Sequence, residues 1–304
     1  MIHGVINVYK EKGYTSHDVV ARLRGITKQK KIGHTGTLDP DAEGVLPVCL
    51  GKATKLCDML TDKDKTYEAV LLLGVETDTQ DTSGNVLSRQ DTEHLTEEAV
   101  REAVLKFTGE YDQVPPMYSA VKINGKKLYE LAREGKTVER RARRVHIHEI
   151  TVLDVKLPRV RMKVHCSKGT YIRTLCHDIG QSLGCGGCME ELFRTQAGRF
   201  QMEDSFRLSE IEQMRDDGSL MEAVVPVDEM FPDYRKITVS GGEEALAYNG
   251  NPLTGRKVLK AGQEVKDGER VRVYDEEGHF IAVYEYRTAE DVFRVKKMFF
   301  DRNG

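Results

Sequence analysis

Residues 33–56 read GHTGTLDPDAEGVLPVCLGKATKL. One carboxylate, Asp39, stands in a tight stretch punctuated by Gly33, Gly36, Pro40 and Gly44, and an apolar run follows. Glycine allows positive φ or the close approach of another backbone, and Pro40 stiffens the chain just after Asp39. A loop held this firmly keeps a side chain still, as a catalytic site requires. The same residues also build ordinary turns, so spacing alone leaves a structural turn with a solvated aspartate as an equal reading.

Working outward, Gly4–Val8 alternates as a strand, and Ser16 is placed to cap a helix running to about Ile26 with Val19, Val20 and Leu23 on one face. Residues 52–60 read as a short helix and 67–73 as a buried strand. Residues 76–91 are polar and acidic and read as a long loop. Asp78, Asp81 and Gly84 lack the ligand spacing and distal glutamate of a calcium loop. Thr96 caps a helix through Phe107, with Glu97 and Glu98 in its first turn. Residues 144–156 and 160–166 alternate as paired strands, and 170–183 and 208–216 read as helices. Beyond Pro226 the composition shifts. Residues 236–300 hold short alternating segments between glycine turns, the pattern of a small β-rich module.

The chain has 304 residues and a formal net charge of −3, so any nucleic-acid affinity must come from local patches. Two stretches qualify. Residues 21–38 carry Arg22, Arg24, Lys28, Lys30 and Lys31 with no acidic residue. Residues 122–144 carry Lys122, Lys126, Lys127, Arg133, Lys136, Arg140, Arg141, Arg143 and Arg144 against three glutamates. A single such run is commonly a solvated face; two flanking a candidate site point to phosphate contacts and salt-sensitive affinity. No apolar run approaches the ~20 residues needed to span a bilayer, and Met1–Lys10 has no signal-like pattern, so a cytoplasmic protein is expected. The six cysteines are scattered. Cys185 and Cys188 form a lone C-x-x-C without a second ligand pair at zinc spacing, and they read as loop cysteines. Neither a P-loop nor a dinucleotide-binding fingerprint is present, so no cofactor or metal is expected.

The stretch around Asp39 resembles the catalytic motif G-H-x-G-T-L-D-P-x-A-x-G-V-L-P of the bacterial tRNA pseudouridine-55 synthases, the TruB family, at Gly33, His34, Gly36, Thr37, Leu38, Asp39, Pro40, Ala42, Gly44, Val45, Leu46 and Pro47. Residues 4–16 resemble the family's K-P-x-G-x-T-S element, with Lys10 aligned and Glu11 in place of proline. KTY at 65–67, TDTQD at 77–81, PPMYSAVK at 115–122, KGTYIRTL at 168–175 and LFRTQAGRF at 192–200 follow in the family's order. The resemblance covers residues 1–230 well and the rest loosely. It implies an α+β pseudouridine synthase fold, a mixed and mainly antiparallel sheet with flanking helices. Residues 1–230 would be the catalytic domain, with 122–146 an RNA-binding insertion, and 231–304 a small PUA-like domain.

The implied reaction cleaves the C1′–N1 bond of a uridine, turns the base and joins C1′ to C5. Positive charge builds at C1′, and one fixed carboxylate can stabilise or attack it while the base is retained. The resemblance assigns that part to Asp39. It places Tyr67 against the flipped uracil and has Arg173 pair with Asp39, with Asp81 holding Arg173 from the other side. Tyr171 and Leu192 line the uracil pocket, His34 fills space in the opened RNA loop, and Lys10 supports the catalytic loop or a phosphate. The partner implied is the T-loop of tRNA, bound by a monomer needing no protein partner. A uridine in a helix must be taken out of the stack before it can react. The competing readings are a tRNA-binding or folding factor with secondary catalysis, and the same chemistry on another RNA.

Overall fold

A computed structural model of the chain describes residues 1–123, 125–259 and 264–300. Its centre is a ten-stranded sheet. Along the main path the strands run 224–225, 4–10, 43–50, 187–197, 65–73, 159–166, 143–156 and 109–113, while 32–34 and 200–201 pair from the side. Within this sheet the described strands pair antiparallel with one exception. Strand Gly187–Ala197 meets Glu43–Leu50 in parallel, and only through Phe193↔Glu43 and Arg194↔Gly44. The expected mixed, mainly antiparallel α+β sheet is therefore present.

That short parallel contact is a seam between two half-sheets, and each half has its own core. On one side, Val19, Leu23 and Ile26 of helix Ser16–Thr27 pack on Ile6, Val8, Leu46, Val48 and Leu50, joined by Ile211. On the other, helix Ile172–Ser182 buries Ile172, Leu175 and Ile179 against Ala69, Leu71, Met162 and Val164. Leu38 and Ala42 belong to this second core, although the strands on either side of them, Ile32–His34 and Glu43–Leu50, lie in the first half. The Asp39 loop thus leaves one half-sheet and seats its apolar residues in the core of the other.

Residues 235–298 form a separate five-stranded sheet in the order 235–238, 270–274, 280–287, 292–298, 253–254. Its interior holds Ile237, Leu253, Val271, Tyr284 and Phe293. A further cluster joins Val283 and Phe299 to Val5, Val45, Leu56 and Phe231, so the small sheet rests on the large one.

Three local expectations are corrected. The first helix is capped by Thr15, not Ser16. The Thr15 Oγ1 accepts from the Asp18 N–H at 3.1 Å while Asp18 accepts from the Thr15 N–H at 2.8 Å, a closed capping box. Ser16 is thereby released to fasten the Asp39 loop. Its hydroxyl accepts from the Leu38 N–H at 2.9 Å. Within 76–91, Val75–Thr77 and Val86–Arg89 pair as a hairpin; the acidic composition concealed a short two-stranded ladder. Cys185 lies in the connection between helix Ile172–Ser182 and strand Gly187–Ala197, whereas Cys188 belongs to that strand and not to a loop, and both are buried. Burial pushes both thiols up, Cys188 to about 11, which makes them poor nucleophiles and metal ligands.

Candidate active site

The backbone around Asp39 is fixed before its side chain acts. The Ala42 N–H donates to the Asp39 carbonyl at 3.1 Å, closing the Asp-Pro turn, and the Gly13 N–H donates to the Pro40 carbonyl at 2.9 Å. Lys10 is fully buried, and its Nζ donates to the carbonyls of Pro40 and Glu11, each at 3.1 Å. Burial pulls the Lys10 ammonium down to about 8, against the opposing charges of Glu43, Asp39 and Asp41. Lys10 is therefore a strut for the loop and a nearby positive charge for Asp39.

Asp39 keeps 42% of its side-chain exposure, Arg173 only 8% and Asp81 16%. The guanidinium of Arg173 lies between the two carboxylates, with Nε 3.1 Å from Asp39 Oδ2 and Nη1 3.1 Å from Asp81 Oδ2. Nη1 also donates to the Thr79 carbonyl at 3.2 Å and Nη2 to the Tyr118 carbonyl at 2.9 Å. Asp81 is held in turn by the Thr79 hydroxyl at 2.7 Å and the Ser83 N–H at 3.0 Å. The result is a solvent-facing carboxylate backed by a buried cation that is itself tied to Asp81 and two carbonyls. Desolvation raises the Asp39 carboxyl above its ordinary value; Arg173 opposes that rise and Asp81 adds to it.

Tyr67 stands on the central strand with its ring packed on the second core. Burial raises its phenol, Arg194 lowers it, and Asp39 is close enough to raise it further. Leu192 is buried two residues before Arg194 and faces the same side of the sheet, opposite Ala69 as Arg194 is opposite Tyr67. Tyr171 precedes the helix that carries Arg173. Gln113, itself buried, brackets its backbone, accepting from the Tyr171 N–H at 2.7 Å and donating to its carbonyl at 2.9 Å. His34 lies edge-on to His17 with ring centroids 5.5 Å apart. Its Nδ1 is buried without a partner, and burial, with the nearby charges of His17 and Arg194, lowers its pKa and so favours the neutral ring.

Sequence reasoning missed Arg194. It is 1% exposed and has no carboxylate partner among the described residues; its Nε donates to the Val45 carbonyl at 2.7 Å and its Nη2 to the Gly36 carbonyl at 3.2 Å. It thus ties both ends of the Asp39 loop to the strand beside Tyr67. The signal was an arginine two residues after a core leucine in a strand, readable only once register is known. Gln113 carried no signal at all.

Gly44 is the backbone requirement behind this arrangement. It sits at φ +104°, and a Cβ there would lie 2.3 Å from the Arg194 carbonyl oxygen. Gly44→Ala is expected to cost at least the ~1–3 kcal/mol of a strained non-glycine backbone, read as a lowered thermal midpoint. A midpoint equal to the parent would show that the seam adjusts freely.

The basic residues divide by occupancy. Arg144 is spent on Glu110 (3.0 Å) and Asp112 (2.8 Å). Arg140 donates to the Pro115 carbonyl at 3.1 Å, Lys126 pairs with Glu134 at 3.6 Å, and Lys127 contacts the Tyr129 hydroxyl at 3.2 Å. Arg22 meets Glu212 at 3.4 Å and Arg24 meets the Lys30 carbonyl at 3.1 Å. Lys30, Lys31, Lys122, Arg141 and Arg143 are exposed.

Two family models match in tandem: the TruB family pseudouridylate synthase N-terminal domain over residues 24–172, and the tRNA pseudouridylate synthase B C-terminal domain over 173–232. The chain belongs to the TruB family of pseudouridylate synthases. A relative from Lachnoclostridium phytofermentans, named tRNA pseudouridine synthase B, is 53% identical over 98% of this chain and 100% of its own length. One of the same name from Clostridium tetani is 45% identical over 91% and 93%. Among solved structures, a Cbf5–Nop10–Gar1 complex contains a chain that is similar with a TM-score of 0.73 and 30% identity, covering 99% of this chain and 86% of that one. An H/ACA RNP bound to a substrate RNA containing 2′-deoxyuridine gives 0.72 and 27%, with the same coverage. No helix among the described residues is long and apolar enough to cross a membrane.

Proposed function

We propose that this chain isomerises uridine to pseudouridine in the T-loop of tRNA, at position 55, as a monomer without a protein partner. The observation that carries this reading is the solvent-facing Asp39 carboxylate fixed by a buried Arg173 beside Tyr67. Asp39 meets C1′ as the glycosidic bond breaks, and Arg173 keeps it ionised and aimed. Tyr67 supports the turned base with its ring, and Leu192 and Tyr171 bound the pocket. Electrostatic stabilisation of this kind needs groups placed in advance, and here Arg173 is already held by its bonds to Thr79, Asp81 and Tyr118. His34 occupies the room left by the flipped nucleotide. Residues 1–230 form the catalytic unit and 231–304, whose residues 260–263 and 301–304 lie outside those described, the small β-rich one. The similar chain of the Cbf5–Nop10–Gar1 complex is assembled with other proteins. The tRNA name shared by the full-length bacterial relatives favours the stand-alone reading here.

The test is tritium release from a tRNA transcript labelled at uracil C5, with the modified site mapped. Release from the T-loop uridine is the expected result. Tight binding without release would overturn it in favour of a folding factor, and release from another RNA alone would move the substrate.

Phosphate contacts by residues 122–146 follow from the same reading. Replacing exposed Lys122, Arg141 and Arg143 together by alanine is expected to weaken tRNA binding and flatten its salt dependence by about one unit of slope per lost contact at most. Arg144→Ala is expected to change little, because its charge is already matched by Glu110 and Asp112. Affinity unchanged in the triple variant across several salt concentrations would remove the segment from the interface.

A further inference from the structure

Asp64, His148 and His165 converge on the large sheet from three separate places in the chain. Their ligand atoms, one from each residue, all lie within 4.8 Å of one another. His148 Nε2 is 3.2 Å from Asp64 Oδ2, and the His148 and His165 rings lie 4.7 Å apart. His146 extends the row, its ring 4.8 Å from that of His148.

The cause is a local irregularity of the ladder. Strand Arg143–Lys156 pairs with Arg159–Cys166, and the register shifts between Ile147↔Cys166 and Glu149↔His165. Ile147 and Ile150 are both buried, so the two residues between them, His148 and Glu149, face outward together. A regular strand would turn one of them inward. The bulge thus sets His148 beside His165. Across the next strand pair His165 is opposite Thr66, while Tyr67 is opposite Val164. His165 and Tyr67 consequently point to opposite faces of the sheet, and the cluster is remote from the Asp39 face.

We propose that Asp64, His148 and His165 form a binding site for one divalent transition-metal ion of the zinc class. Two imidazoles and a carboxylate are the donor set such ions prefer over magnesium or calcium, which take oxygen ligands. Four-coordinate ligands at ~2.0–2.2 Å stand roughly 3.3 Å apart. Their present spacing, 3.2 Å for the His148–Asp64 pair and within 4.8 Å for all three, is close to that, and water would complete the sphere. Asp64 precedes the strand of Tyr67, so the ion would clip three chain segments at one end of the sheet as a structural site, outside the chemistry.

The full chain, stripped of metal with EDTA, would be titrated with Zn²⁺ in a calorimeter above the ordinary imidazole pKa. One equivalent is expected to bind the parent, and His148→Ala and His165→Ala each at least tenfold more weakly, with Mg²⁺ failing to compete. Both variants should melt like the parent without metal and lose its Zn²⁺-dependent rise in midpoint, while turnover stays unchanged. His279→Ala, altering a different surface cluster with Asp275 and Glu277, should bind as the parent does. No binding by the parent, or equal affinity in the His148→Ala/His165→Ala double variant, would overturn the proposal. Loss in His279→Ala alone would move the site there.

Discussion

Asp39→Asn is expected to lower the isomerisation rate by on the order of 10⁴-fold, the scale seen when a catalytic carboxylate loses its charge, with tRNA affinity near that of the parent. Asparagine keeps the shape, and Arg173, whose Nε lies 3.1 Å from the carboxylate, keeps its bonds to Thr79, Asp81 and Tyr118, so the loop has no reason to move. The variant should also melt no lower than the parent. Desolvation raises the Asp39 carboxyl, so the folded chain holds this proton more tightly than the unfolded one. At neutral pH the ionised group is then a cost to stability, and removing the charge removes the cost. By the same sign, the parent's rate should fall on acidification through a pKa above the ordinary carboxylate value. Tritium release, filter binding and a melt on the same preparations check all three. Equal loss of release and binding would show that Asp39 serves chiefly to hold RNA.

Arg173→Met should have the larger effect on stability. It removes the cation between Asp39 and Asp81 and leaves the carbonyls of Thr79 and Tyr118 without their donors. Breaking a buried pair by removing one partner typically costs ~3–5 kcal/mol, since the other charge stays behind. The rate should fall as well, with the acid limb of its pH profile displaced to higher pH as Asp39 loses its opposing charge. That displacement separates a positioning role from mere loss of folded protein. Arg173→Lys should not restore activity, because an ammonium cannot fork to both carboxylates and both carbonyls. Adding Asp81→Asn should recover part of the stability and little of the rate; simple additivity would mean that the pair is not coupled.

Much of this site was legible before the fold. The Asp39 loop could be read because its glycines and proline act locally, through φ and turn chemistry. The helix of Arg173 could be read from its apolar spacing at Leu175 and Ile179. What could not be read depends on register. Arg194 looks like any arginine until its strand is laid parallel to Gly44, and Gln113 until it is set beside Tyr171. The hairpin within 76–91 was hidden because its ladder is short and its few apolar residues, Val75, Val86 and Leu87, are too sparse to show an alternating pattern. Ser16 was read as a cap, although its hydroxyl is used across the molecule on Leu38; the adjacent threonine closes the helix instead. Charge counts overstated the basic segment, since Arg144 and Lys126 spend their charge on neighbouring acids.

The two-pair seam between the half-sheets has a consequence for how the protein fails. Asp39 is anchored through Leu38 and Ala42 to a core that its own flanking strands do not share. Its partner Arg173 rises from that other core. The pair is thus assembled across a joint, as the two blades of a pair of scissors meet only while the pivot is tight. Partial loosening of the joint would separate carboxylate from cation while each half kept its strands and helices. During heating or mild denaturant, turnover should vanish before circular dichroism changes, making catalysis the most sensitive gauge of whether the pivot is closed.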